Sequence, residues 1–251
     1  MTWACIVLAG GTAPEDLKNK MGTPHRALAT FGGRTCLDWV LDAVLASNFH
    51  EIAVAGDEAV LAHPDPRAGH WVNAGKGAVD SARSAFEKVQ ADGYVVFPVD
   101  TPLVQAKDFV WFREEVERRH FGAGPFFATG VCKASLFREK FPGTPATAIK
   151  MGGEGVLTGG LYATNREGFE LAENLLREFR ALRKSPFKMV KRLGLGNLLA
   201  YATGRLDHAR VERVASDLLG GPTWVIPGAS PESCMDFDNV AEYGALKRIM
   251  G

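Results

Sequence analysis

Two hydrophobic rhythms alternate along the first half of the chain. Short, nearly unbroken apolar runs at 3–8, 51–55 and 94–99 have the length of buried strands, and a weaker one covers 69–73. Between them the apolar positions fall three and four residues apart, as on one face of a helix. Leu37, Val40, Leu41, Val44 and Leu45 mark a helix over 36–46. Val79, Ala82, Phe86 and Val89 mark one over 79–89, and Phe109, Val110, Phe112 and Val116 one over 107–119. The strands end on turn residues: Gly10-Gly11, Gly56-Asp57 and Asp100-Thr101-Pro102. Strand–helix alternation of this kind predicts a mostly parallel sheet with helices on both faces, an α/β fold of three layers.

The pattern changes after about residue 120. Strands are expected at 126–131 and 156–163, and the Gly- and Pro-rich stretch between them, 141–155, reads as a hairpin or a mobile flap. Helices follow at 167–182, 187–193 (opened by Pro186), 195–201 and 207–219, the last with Asp207 as N-cap. A last strand at 223–226 precedes Met235-Asp236-Phe237-Asp238 and a closing helix at 241–250. No repeat or low-complexity linker divides the chain. The expectation is a single domain, 1–251, with a helical insertion near 165–220.

Composition narrows the possibilities. Hydrophobic residues make up 46% and charged residues 23% of 251, ordinary values for a globular chain with a sizeable core. Lys plus Arg equals Asp plus Glu at 29 each, so no basic excess exists to grip nucleic acid or an anionic membrane. Cys5, Cys36, Cys132 and Cys234 are dispersed and form no C-x-x-C pair, which argues against a zinc or redox motif and makes the cytoplasm the expected compartment. Neither a signal peptide nor a membrane span is expected, since no apolar run reaches the roughly 18 residues that a span needs. Trp111 and Phe112 fit a core or a partner surface equally well.

Four segments carry candidate chemistry. The loop Leu8-Ala9-Gly10-Gly11-Thr12 lets the backbone approach a ligand, and Lys18, Lys20 and Arg26 follow it with positive charge. It matches neither the P-loop nor the dinucleotide fingerprint, and taken alone it also describes a tight turn. Asp100 ends a central strand, where open α/β sheets bind ligands and where a carboxylate can hold Mg²⁺; it could equally cap the turn. Asp236 and Asp238, at i and i+2, point the same way on an extended segment; one can complete a metal site while the other caps the last helix. A basic run (Arg177, Arg180, Arg183, Lys184, Lys188, Lys191 and Arg192) suits an anionic acceptor or is a solvated helix face. The histidines show no metal spacing, and no G-x-S-x-G elbow is present.

Taken in order, Leu8-Ala9-Gly10-Gly11, Lys20-Met21-Gly22, Arg26-Ala27-Leu28, Gly32-Gly33-Arg34-Thr35-Cys36-Leu37, Asp100-x-Pro102 and Asp236-x-Asp238 resemble the MobA-like nucleotidyltransferase family. The likeness covers about 3–105 well and 232–248 moderately, and 184–219 looks like a subgroup of the same family. The resemblance implies a glycosyltransferase-A-type, Rossmann-like fold and Mg²⁺-dependent transfer of a nucleoside monophosphate from an NTP to a phosphorylated small molecule, possible in cofactor biosynthesis. It implies nucleotide binding by Leu8, Ala9, Gly10, Gly11, Thr12, Lys20 and Arg26, with Lys20, Arg26 and Asp100 catalytic. Asp100 and Asp238 would be the metal ligands. Two departures stand out: Lys20 and Arg26 exchange the family's arginine and lysine, and 12–20 is longer than usual and carries Glu15 and Asp16. The competing readings are a nucleotide or sugar-nucleotide binding protein without turnover, and a glycosyltransferase. The latter ranks last because Asp100-Thr101-Pro102 lacks the Asp-x-Asp usual at that position.

Overall fold

The computed structural model describes residues 1–120, 122, 124–182 and 207–251, with the backbone alone at 179–182. The helices expected at 187–193 and 195–201 lie outside these residues, as does most of the basic run. Ten strands run in chain order: β1 (Trp3–Ala9), β2 (Thr30–Phe31), β3 (Arg34–Thr35), β4 (Glu51–Gly56), β5 (His70–Asn73), β6 (Gly93–Pro98), β7 (Phe127–Lys133), β8 (Ile149–Met151), β9 (Glu154–Thr164) and β10 (Thr223–Pro227) among the described residues. The helices are α1 (Glu15–Met21), α2 (Cys36–Leu45), α3 (Glu58–Leu61), α4 (Ala78–Phe86), α5 (Ala106–Arg119), α6 (Ala134–Lys140), α7 (Arg166–Leu182), α8 (His208–Leu219) and α9 (Val240–Met250).

The main sheet has the order β10-β7-β9-β6-β1-β4-β5, with β8 paired to β9. β1 lies at its centre, parallel to β4 and β6, and β5 continues parallel to β4. Only β9 reverses the sense of the path: it runs antiparallel to β6 on one side and β7 on the other, while β10 is again parallel to β7. The sheet is therefore mixed but mostly parallel.

The period of two along β1 divides its side chains between two cores. Trp3, Cys5 and Val7 join Val54, Val95 and Phe97 beneath Leu37, Val40 and Leu41 of α2 and Phe109, Phe112 and Val116 of α5. Ala4 and Ile6 face the other way, with Ala53, Ala55 and Tyr94, beneath Ala82, Ala85 and Phe86 of α4 and Phe169 of α7. Phe86 and Phe169 stack with ring centroids 4.3 Å apart, so α7 covers this face of the sheet. Phe112 is fully buried, which places it in the core, and Trp111 packs half-buried against the same core.

One segment read as a loop and one given no element are helical. Pro14 opens α1, Glu15 and Asp16 occupy its favourable first turn, and Gly22 closes it in the left-handed region at φ 73°. Leu17 and Met21, one turn apart, are its buried face, too short a stripe to stand out as periodicity. α6 follows β7 without a turn and buries only Ala134 and Phe137. The stretch 141–155 contains a hairpin: β8 and β9 pair across Gly152-Gly153, both at positive φ. No helix among the described residues is long and apolar enough to cross a membrane.

Candidate active site

The loops after β1, β4, β5 and β6 surround a cavity of ≈ 460 Å³ at one edge of the parallel half-sheet. Leu8–Thr12, Arg26, Asp57, Gly75–Ala78, Ser81 and Pro98–Asp100 line it. The two loop glycines are required for different reasons. A Cβ on Gly10 would lie 2.3 Å from the Ala74 Cβ, so the β1 and β5 loops touch only because Gly10 has no side chain. Gly11 sits at φ 101°, a conformation that L residues rarely adopt. Its N–H donates to Asp57 Oδ2 at 2.7 Å, and His25 Nδ1 lies 3.1 Å from the same oxygen. That N–H, expected to meet phosphate, is thus engaged in holding the loop to the end of β4.

Sequence reasoning missed the opposite wall. Gly75-Lys76-Gly77 turns from β5 into α4, and the Gly75 N–H donates to Ser81 Oγ at 3.0 Å. Gly77, Ala78 and Ser81 of this turn and first helical turn line the cavity, so the positive end of the α4 dipole faces it. Lys76 lines it too. A Gly-Lys-Gly directly after a short strand was the available signal.

Arg26 sits on a single 3₁₀ turn, Arg26–Leu28, anchored by the buried Ala27. Its Nη2 is 2.8 Å from Asp238 Oδ1, and its Nε is buried without a hydrogen-bond partner. Asp238 is available because neither aspartate of 236–238 caps α9: Asn239 Oδ1 accepts from the Ala241 and Glu242 N–H groups instead. Phe237 is fully buried between them, its ring centroid 5.4 Å from that of Phe31, and this anchors the segment. Gln105 caps α5 in a capping box with Asp108, the Gln105 N–H donating to Asp108 Oδ2 at 2.8 Å.

The carboxyls crowd one another. Burial pushes the Asp100 pKa up to about 6; the Arg26 charge opposes this, while Asp238 and Glu242 add to it. Burial, then the charges of Asp100, Asp238 and Glu242, push Asp236 up to about 7. Asp100, Arg26 and Asp238, distant in sequence, are therefore in one electrostatic cluster. Lys20 is not: it is exposed on the last turn of α1 and is absent from the cavity wall. Glu15 and Asp16 also stay out, with Glu15 Oε2 3.1 Å from Lys18 Nζ. Arg177 of the basic run is tied to Asp80 and Glu173.

No group of three or more His, Cys, Asp and Glu among the described residues forms a self-sufficient metal site. Hard oxygen donors from one or two carboxylates nonetheless fit Mg²⁺, which usually keeps waters and takes its other ligands from substrate phosphates.

Fold and cavity bring a glycine loop, a helix N-terminus, two cationic side chains and a carboxyl cluster together at the strand ends of an α/β sheet. Residues 5–143 match the MobA-like NTP transferase domain, and the chain belongs to that family, which places it in the class of nucleotidyltransferases. A probable molybdenum cofactor guanylyltransferase of Bacillus cereus is 28% identical over 135 residues; the match spans 49% of this chain and 61% of that relative. Among solved structures, a hypothetical transferase from Thermus thermophilus superimposes with a TM-score of 0.84 at 24% identity, over 98% of this chain and 100% of the other. The 2-C-methyl-D-erythritol 4-phosphate cytidylyltransferase of Thermus thermophilus gives 0.56 at 18% identity, over 100% and 99%. Both likenesses are of fold.

Proposed function

We propose that the protein transfers a nucleoside monophosphate from an NTP to a phosphorylated small molecule, releasing pyrophosphate. The observation that carries this reading is the wall on which the glycine loop, the N-terminus of α4, Lys76 and the Arg26 guanidinium meet beside Asp100. A phosphate placed there meets a helix N-terminus and two cationic side chains.

In this reading 8–12 hold the base and sugar against the ends of β1 and β4. The α4 N-terminus, Lys76 and Arg26 take the phosphates, with Lys20 added from the α1 side. Asp100 and Asp238 would hold Mg²⁺, which when bound would supply Lewis-acid charge to the reacting phosphates. An acceptor phosphate oxygen bonds to the α-phosphorus as the bond to pyrophosphate breaks. No side chain forms a covalent intermediate; the residues position the reactants and neutralise charge on the departing pyrophosphate. The expected reading of 1–251 as one domain fits a site fed from both ends of the chain.

The test is direct. Each NTP is offered with Mg²⁺ and a panel of phosphorylated acceptors, and pyrophosphate is measured alongside equilibrium NTP binding. Release of pyrophosphate that depends on both substrates and is lost in Asp100→Asn supports transfer. Failure of every NTP to bind at millimolar concentration overturns it.

A further inference from the structure

A second cavity, of ≈ 200 Å³, opens beside the aspartate segment. Thr147, Thr158, Asp236, Asp238 and Glu242 give it a polar wall, and Phe137 closes one side. A narrower cleft of ≈ 100 Å³ shares walls with both: Thr158 and Asp236 line the cleft and the second cavity, and Pro98 lines the cleft and the nucleotide cavity. The Arg26–Asp238 ion pair stands at the boundary, one partner from each cavity.

The two spaces differ in charge. The nucleotide cavity carries Arg26 and Lys76. The second carries three carboxyl groups and, among the described residues, no Lys, Arg or His. One Asp238 oxygen pairs with Arg26, and one Glu242 oxygen accepts the Asp238 N–H at 2.7 Å, which fixes Glu242 in the wall. An anionic group placed here meets the carboxyls of Asp236 and Glu242, while Arg26 at the boundary is already paired with Asp238, an arrangement that binding sites use to reject a ligand. Hydroxyl or ammonium groups instead find carboxyl and threonine oxygens that accept their hydrogens.

We infer that the acceptor seats its non-reacting end in this second cavity, and that this end presents hydroxyl or ammonium donors and no second anionic group. The inference rests on the transfer reading above. The acceptor's phosphate stays at the Arg26 boundary, and Asp236, Glu242 and Thr158 select what lies behind it.

Three phosphate monoesters that differ at the far end test it: glycerol 3-phosphate, O-phosphoethanolamine and 3-phosphoglycerate. Their affinities for the full chain with Mg²⁺ are compared by ligand-observed NMR titration. The hydroxyl or the ammonium probe is expected to bind at least tenfold more tightly than the carboxylate probe, and the better of the two identifies the donor. The double variant Asp236→Asn, Glu242→Gln should shrink that preference to within twofold. Should this variant not fold, Thr158→Val is expected to weaken the preferred probe several-fold and leave 3-phosphoglycerate unchanged. Equal or tighter binding of the carboxylate probe, a preference that survives these changes, or no binding by any probe overturns the inference. NTP affinity, measured on the same samples, reports on the transfer reading separately.

Discussion

Replacing Asp100 by Asn should make the protein more stable, and only above about pH 4. Asp100 is half-buried at the end of β6, and its carboxyl pKa rises from 3.8 to about 6. A carboxyl shifted upward favours the protonated folded state. Its contribution is fully present below pH 3.8, is lost as pH rises, and is gone above about pH 6. At 1.36 kcal/mol per pH unit the loss is at most about 3 kcal/mol. Partial solvent access reduces this, so about 2 kcal/mol is expected at pH 8. Asn keeps the shape and removes the charge. For a chain of this size 1 kcal/mol moves Tm by roughly 2–4 °C, so Asp100→Asn should raise Tm by roughly 4–8 °C at pH 8 in EDTA, and by little at pH 4. Thermal unfolding of both proteins across pH 4–8 measures it. A variant no more stable than wild type at pH 8, or equally stabilised at pH 4, would refute the burial of Asp100 among neighbouring carboxyls.

Other outcomes follow from single contacts. Arg26→Met should weaken NTP binding by about 10- to 100-fold, the range for losing a hydrogen bond to a charged group, in isothermal titration; an unchanged Kd would remove Arg26 from the phosphate site. Gly10→Ala, whose Cβ meets Ala74 at 2.3 Å, should force the β1 and β5 loops apart, lowering both Tm and NTP affinity. Lys76→Ala should raise the NTP Kd about tenfold, of the order of one charged contact. Phe237→Ala should cost about 3–5 kcal/mol in chemical denaturation, and a cost under about 1 kcal/mol would mean that the segment is not anchored by its aromatic core.

The sequence made the central layer legible because β1, β4 and β6 are buried on both faces and their residues are apolar without interruption. The helices α2 and α5 were equally plain, each with four or more apolar residues on one stripe. α1 and α6 were not, since two buried residues apiece leave no periodicity to detect. β9 could be recognised as a strand but not as the one that runs against its neighbours, because direction is set by pairing and not by composition. Gly10, Gly11, Arg26, Asp100 and Asp238 fall where chemistry-bearing residues end strands or begin helices. Lys76 was hidden in a turn that reads as any glycine-rich turn until β5 is placed beside β4. The commitment of the Gly11 N–H to Asp57 depends on a contact between residues 46 positions apart, which spacing cannot reveal.

The Arg26–Asp238 pair has a consequence for how the molecule can be divided. Residues 5–143 contain the glycine loop, Arg26, Lys76 and Asp100, while Asp236, Asp238 and Glu242 arrive from the far end of the chain. A fragment cut at 143 would retain the cationic half of a charge-balanced seam and lose the anionic half. Recombining such a fragment with the tail of a relative would exchange one wall of the reaction chamber while leaving the other in place, a natural route by which one nucleotide cradle acquires new chemistry opposite it.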